Sequence, residues 1–396
     1  MDRIASVAKI AWFASLFFLI VRYENVPVPF LFGGGLIAIA AARALLDLRS
    51  VSFKLTLFDS LFLAYLVLAL FYIGFVAPAI WIEDPWNVAF KTAAYGAIYF
   101  ALRALRVTER EAFLGMLIGL VIFSVMFAYA FVLSGMGLND ILNFNYYRVT
   151  VQVGAYFNSL STGEVSNEFS SRDLLRSTMS EGFALSILLF LRARALPPFI
   201  VSLFLLLVFQ SRRSALSVVA FIALSEVKLW VKLAAVVMGA ALLFVLAGTG
   251  IVERFTSIAS EQRLDMYYIA IEGLTDRSLI GLGYGAKVGT YYVHNFVLAS
   301  FYMMGLAGLL LSVAIVLALV FDSVRLRSQF AILALVGFAV GSTIEGFMNL
   351  SSWAGIALMY NLAYAPARKL AGISEMEGNM TQVEPAKAAD RSMLPA

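Results

Sequence analysis

Hydrophobic stretches of helical length follow one another along nearly the whole chain, and most charged residues fall in the breaks between them. The stretches lie near 4–21, 28–42, 55–74, 88–102, 112–134, 178–191, 197–209, 214–225, 231–248, 295–320, 329–349 and 351–365. A helix crossing the ~30 Å hydrocarbon core needs about 20 mostly apolar residues, so these runs read as ~12 spans, several of them short. A soluble chain could not hide this surface: of 396 residues, 62% are hydrophobic and 14% charged, and the mean hydropathy is +0.88. Lipid is the expected solvent, and inside lipid every backbone polar group needs an internal partner. The predicted fold is all-α, a polytopic transmembrane helix bundle over residues 1–370. After Leu370 the chain turns polar and small, and 371–396 reads as a disordered tail.

The absence of cysteine excludes a disulfide framework and thiol chemistry. The first apolar run could pass for a signal peptide, but Arg22-Tyr-Glu24 follows it without a small-residue cleavage pattern, so it reads as a retained span. No internal repeat suggests the paired halves of many transporters. Lys and Arg collect in alternate loops: Arg43, Arg49 and Lys54; Arg103, Arg106 and Arg110; Arg192 and Arg194; Lys228 and Lys232; Arg325 and Arg327. By the positive-inside rule these loops are cytoplasmic, with both termini. Two longer segments, near 135–177 and 249–294, then lie outside.

Gln210-Ser211-Arg212-Arg213-Ser214 breaks that rule, placing two arginines in a tight outer loop between short apolar runs. An arginine near hydrocarbon depth costs at least a few kcal/mol. The pair either snorkels to lipid headgroups or holds an anion, for which the planar guanidinium fork suits phosphate oxygens. The segment 249–294 adds Arg263, at the start of a stretch with apolar residues at 264, 267, 268, 271 and 274, the spacing of an amphipathic helix. Gly281-Leu-Gly283-Tyr-Gly285 follows. It lacks the strand and soluble helix of a nucleotide-binding loop, and instead suits backbone packed closely against the bundle, aiming what comes next.

Next comes His294, the one histidine of the chain, followed by Asn295. It stands where a polar loop re-enters an apolar run, and imidazole is the side chain suited to proton transfer near neutral pH. Two acids lie in apolar surroundings. Asp59, near the inner end of its run, reads as structural, and Glu345, toward the outer end of another, is a candidate partner for His294 or an arginine. The tyrosines of 135–177 could stack on sugar rings or anchor a solvated loop at the interface. The outer segments show no metal-ligand spacing of His, Asp and Glu, and no dominant pair of carboxylates as in glycoside hydrolysis.

Ser211-Arg212-Arg213-Ser214-Ala215, then Arg263, then Ser278-Leu-Ile-Gly281-Leu-Gly283-Tyr-Gly285, then His294-Asn295-Phe-Val-Leu298 with Gly305-Leu-Ala-Gly308 downstream, form an ordered series over the second half of the chain. In this the chain resembles the O-antigen ligase and Wzy-type O-antigen polymerase superfamily of bacterial inner-membrane glycosyltransferases. The first half matches only as a hydrophobic pattern, and the doubled arginine leaves open which of Arg212 and Arg213 is the family's counterpart.

The resemblance implies a glycan donor on undecaprenyl diphosphate at the periplasmic face of the inner membrane, and transfer with inversion to an acceptor hydroxyl. No metal or other cofactor is implied, and no nucleic acid is an expected partner. The acceptor is a lipid A-core sugar in ligases and another lipid-linked glycan in polymerases. The residues suit this chemistry. Arg212, Arg213 and Arg263 can hold the charge growing on a diphosphate leaving group, His294 can serve as the acceptor's base, and Asn295 can fix the imidazole ring or a sugar hydroxyl. The alternatives are a polymerase or exopolysaccharide-chain synthase of the same superfamily, ligation to protein hydroxyls, and, in another class, a polysaccharide flippase or other transporter.

Overall fold

The computed structural model describes residues 1–19, 21–23, 26–46, 54–76, 85–133, 135, 182–209, 212–224, 232–233, 260–272, 279–286, 293, 295–340 and 350–364. Contacts divide the chain into Met1–Leu362, which carries the bundle, and Ala363–Ala396. The predicted tail at 371–396 lies outside the described residues.

The protein is mostly helical. In chain order the described helices are α1 (Asp2–Ser15), α2 (Val28–Leu46), α3 (Leu57–Phe75), α4 (Pro85–Ala104), α5 (Glu109–Leu133), α6 (Gly182–Arg192) and α7 (Leu196–Phe209). After these come α8 (Arg212–Leu224), α9 (Ser260–Glu272), α10 (Phe296–Arg325), α11 (Ile332–Val340) and α12 (Leu350–Ala363). A two-strand hairpin of two residues each, Arg22–Tyr23 and Val26–Pro27, joins α1 to α2.

Among the described residues four helices, α2, α3, α5 and α10, are long and apolar enough to cross a membrane. Their outward faces carry exposed apolar side chains, among them Leu63, Val67 and Phe71 on α3, Val121 and Val125 on α5, and Leu310, Leu317 and Phe321 on α10. Exposed apolar surface that continuous suits lipid rather than water. The other expected spans differ. α4 is long but carries Lys91, Thr92 and Arg103, and α1, α7, α8, α11 and α12 are described over 9 to 14 residues. The expected span at 231–248 lies almost wholly outside the described residues.

Local chemistry starts the helices. Thr56 caps α3, accepting from Asp59 N while its own N–H donates to the Asp59 carboxylate. Thr108 and Glu111 repeat that reciprocal box at α5. Packing then follows small residues. α1 lies against α5, where a Cβ at Gly115 or Gly119 would stand 2.5 Å from the carbonyl oxygen of Ile10 or Ala14. Beside this seam Phe17, Phe123, Phe183 and Phe209 draw α5, α6 and α7 together, with centroids 5.2–6.1 Å apart.

One end of the bundle is tied by charge. Arg103 is not the loop residue its sequence position suggests; it lies in the last turn of α4 with its side chain 2% exposed, beside the fully buried Asp59. Its Nη2 donates to Asp59 Oδ2 at 3.0 Å and to the Lys54 carbonyl at 3.1 Å, and its Nη1 to Asn361 Oδ1 at 2.9 Å. Tyr99 donates to Asp59 Oδ1 at 2.5 Å, and Tyr360 to Asp322 at 2.7 Å. Lys9 pairs with Glu111 at 2.7 Å, and Arg192 with Glu109 at 2.8 Å while lying over the Phe330 ring. These links join α1, α3, α4, α5, α6, α10 and α12.

Candidate functional site

α10, which Asn295 of the predicted site precedes, is two helices rather than one. Gly305 has φ 58° and ψ −149°, a conformation open to glycine and strained for any L side chain, and it breaks the helix between 296–304 and 306–325. The first part doubles back on the second so closely that a Cβ at Gly308 would overlap the Ser300 carbonyl oxygen. A break frees carbonyls, and these find partners: Leu282 N donates to Tyr302 O and Gly283 N to Met303 O, both at 2.9 Å, and Tyr72 donates to Met304 O at 3.1 Å.

The glycine-rich turn is therefore the backbone patch for that break. Gly281, Gly283 and Gly285 all have positive φ. A Cβ on Gly281 would stand 2.5 Å from Gly305 N, and one on Gly305 would overlap the Leu279 carbonyl oxygen. Residues 281–286 are buried. The expectation that these glycines allow close backbone packing holds, with α10 as the surface they pack on. Within the turn Tyr284 is fully buried. Burial raises its phenol above the ordinary range, and its hydroxyl, beside Tyr65 and Thr92, makes no well-aligned hydrogen bond. Tyr65 itself meets Ser300 at 3.0 Å.

Asn295 opens α10 and does two jobs. In extended backbone (φ −153°, ψ 126°) it N-caps the helix, its Oδ1 accepting from Leu298 N at 2.9 Å. Its Nδ2 donates to Ala339 O, in the last turn of α11, at 3.1 Å. The amide thus ties a helix start to a helix end, satisfying backbone groups that neither helix can satisfy alone. Both ends of the side chain are engaged by protein.

Arg212 and Arg213 are the first two residues of α8, not members of a loop; their side chains lie outside the described residues. α8 packs against α11, and Gln329, in the 3₁₀ turn leading into α11, donates to Leu224 O at the end of α8 at 2.9 Å. The two helices thus run antiparallel. The 13 residues of α8 rise ~20 Å, as do the 3₁₀ turn and the 9 residues of α11 together. The Arg212 end of α8 is therefore level with the Ala339 end of α11, where Asn295 is tied. That level is opposite to the Arg192–Phe330 contact and its ion pairs.

Arg263 is the fourth residue of α9, which packs against α10; its side chain also lies outside the described residues. So do His294 and Glu345 entirely, while Val293 and Phe296 to either side of His294 and Asn295 are buried. Among the described residues no three acidic or imidazole groups converge to hold a metal ion. The helix break and the Asn295 tie are what the sequence reading missed. A glycine in the middle of a long apolar run was the available signal for the break; the tie spans 44 residues and had none.

The charge arrangement at α8 is unusual. A helix N-terminus carries about half a positive charge and favours acids, yet here two arginines occupy its first turn. Two like charges at such a terminus make it a place where an anion would be favoured. Comparison with known proteins finds no family model and no curated protein that matches the chain.

Proposed function

We propose that the chain is a membrane glycosyltransferase of the O-antigen ligase and Wzy-type polymerase superfamily, moving a glycan from undecaprenyl diphosphate to an acceptor hydroxyl. The observation that carries this reading is the pair of arginines on the N-terminus of α8, level with the Asn295 tie that precedes the first part of α10. A diphosphate matches that concentration of positive charge. In the proposed reaction His294 takes the acceptor proton, the acceptor oxygen attacks the anomeric carbon, and the bond to the diphosphate oxygen breaks. Arg212, Arg213 and Arg263 hold the charge that develops on the leaving group. Glu345 is the candidate partner for His294 or one of these arginines, and Asn295 serves by holding α10 and α11 in register.

The proposed setting is the bacterial inner membrane, crossed ~12 times, with both termini cytoplasmic and the site facing the periplasm. What supports this orientation is that the described basic residues of the predicted inner loops collect at the end of α11 remote from Arg212. In this reading the site is recessed from the outer face, with lateral access for a polyprenyl tail.

The break in α10 favours a second reading, since transporters build substrate and ion sites from discontinuous helices. Two observations weigh against it. The carbonyls of Tyr302, Met303 and Met304 already have partners, and alternating access would have to open an end held by the buried Asp59–Arg103 pair. Purified protein in detergent, with no second compartment, separates the readings. Supplied with lipid-linked glycan and an acceptor, it transfers glycan, and His294→Ala of native far-UV circular dichroism does not. Full turnover by that variant removes His294 from the mechanism; transport in proteoliposomes without transfer in detergent replaces the transferase reading.

A further inference from the structure

Among the described residues three non-glycine positions have positive φ, and all three are arginine: Arg106 (50°), Arg194 (55°) and Arg327 (48°). Each follows a helix at the position where glycine is preferred, and each closes it with the same pair of hydrogen bonds. After α4, Arg106 N donates to Arg103 O and Val107 N to Leu102 O. After α6, Arg194 N donates to Leu191 O and Ala195 N to Phe190 O; after α10, Arg327 N donates to Val324 O and Ser328 N to Ser323 O. This is the Schellman closure, in which the left-handed residue is usually glycine because a Cβ there crowds the following carbonyl. Three unrelated stretches of sequence accept that strain with the same side chain.

The three ends share one face. Arg192 bridges them, pairing with Glu109 three residues after Arg106 and lying over Phe330 three residues after Arg327. All three arginines are exposed. Two stand where outward apolar surface stops: Leu196 and Ile200 follow Arg194, and Phe321 and Val324 precede Arg327. The part of α10 after its break runs ~20 residues, or ~30 Å, so Arg327 sits about one hydrocarbon thickness from Gly305.

We propose that Arg106, Arg194 and Arg327 form a collar that binds the anionic headgroups of the adjoining phospholipid leaflet. Charge recognition gives the strain its reason. A guanidinium at a helix C-terminus is favoured by the dipole, and from there it reaches phosphate just beyond the apolar belt. Glycine would relax the backbone and lose the contact. The inference rests on the membrane reading of the helices and not on the glycosyltransferase reading.

The test titrates the full-length protein in a neutral detergent with phosphatidylglycerol or phosphatidylcholine and reads lipid affinity by energy transfer from tryptophan to a labelled lipid. The triple variant Arg106→Gly, Arg194→Gly, Arg327→Gly binds phosphatidylglycerol on the order of a hundredfold more weakly, taking each basic residue at its usual worth near a charged leaflet. It leaves phosphatidylcholine affinity unchanged and unfolds at a higher temperature in lipid-free detergent. The triple lysine variant keeps the charge and most of the affinity. Should the triple glycine variant fold poorly, Arg194→Gly alone shows about a fivefold loss. Unaltered phosphatidylglycerol affinity in the glycine variants, or equal loss for both lipids, overturns the proposal.

Discussion

Replacing Arg103 with methionine tests whether the ionic tie at one end of the bundle is structural. The substitution keeps the aliphatic stem and removes the guanidinium from a site where its carboxylate partner has no exposed surface. Asp59 loses the contacts at 3.0 and 3.4 Å, and Asn361 Oδ1 and the Lys54 carbonyl lose their donors. The Tyr99 hydroxyl and the Thr56 N–H and hydroxyl still reach the carboxylate. Removing one partner of a buried pair costs about 3–5 kcal/mol, and these surviving hydrogen bonds place the expected loss near the lower bound, ~3 kcal/mol. Asp59→Leu takes the carboxylate from the guanidinium, which keeps Asn361, the Lys54 carbonyl and the Tyr360 ring, and costs about as much. Combining the two removes both charges, so the double variant loses clearly less than the sum of the singles. Reversible unfolding in mixed micelles of mild detergent and dodecyl sulfate, followed by near-ultraviolet circular dichroism, measures all three. A loss under about 1 kcal/mol for Arg103→Met, or strict additivity in the double variant, would show that the pair contributes little and refute this account.

Three further outcomes are expected. Gly305→Ala forces a Cβ into the Leu279 carbonyl and onto a backbone conformation reserved for glycine, so it costs about 3 kcal/mol or more and exposes the amides of Leu282 and Gly283 to hydrogen exchange. Asn295→Ser retains the cap on Leu298 N and drops the tie to Ala339; it lowers glycan-transfer turnover while changing stability by only ~1 kcal/mol, whereas Asn295→Leu loses both. Equal turnover of the serine variant and wild type would remove the tie from the site's construction. Tyr284→Phe deletes a buried hydroxyl that has no well-aligned partner, so thermal unfolding in detergent shows no loss and a gain of up to ~1 kcal/mol; a clear loss would reveal a partner for that hydroxyl.

Much of the fold was written locally. Apolar runs predicted helices at most of the observed positions, because burial in lipid or core depends on each residue's own surface and adds along the chain. The Thr56–Asp59 and Thr108–Glu111 boxes are equally local, three residues apart and readable before any helix is placed. Residues of the candidate site were nominated by type: Arg212, Arg213 and Arg263 for persistent charge, and His294 for its titration near neutrality. What the arginine pair sits on was not legible. Placing Arg212 at the head of a helix turned two loop cations into charges added to a dipole of the same sign.

The decisions left to tertiary structure all concern groups distant in sequence. Nothing within reach of Gly305 announces that Leu282 and Gly283 will take the carbonyls its break releases. Asp59 and Arg103 are separated by 44 residues, and their positions on α3 and α4 make them partners only once those helices pack. Side-chain character sets which groups must leave water and cap a helix, since those free energies are paid residue by residue. Which group meets which is set by the packing of whole helices, where a polar atom removed from water takes the partner that geometry brings to it.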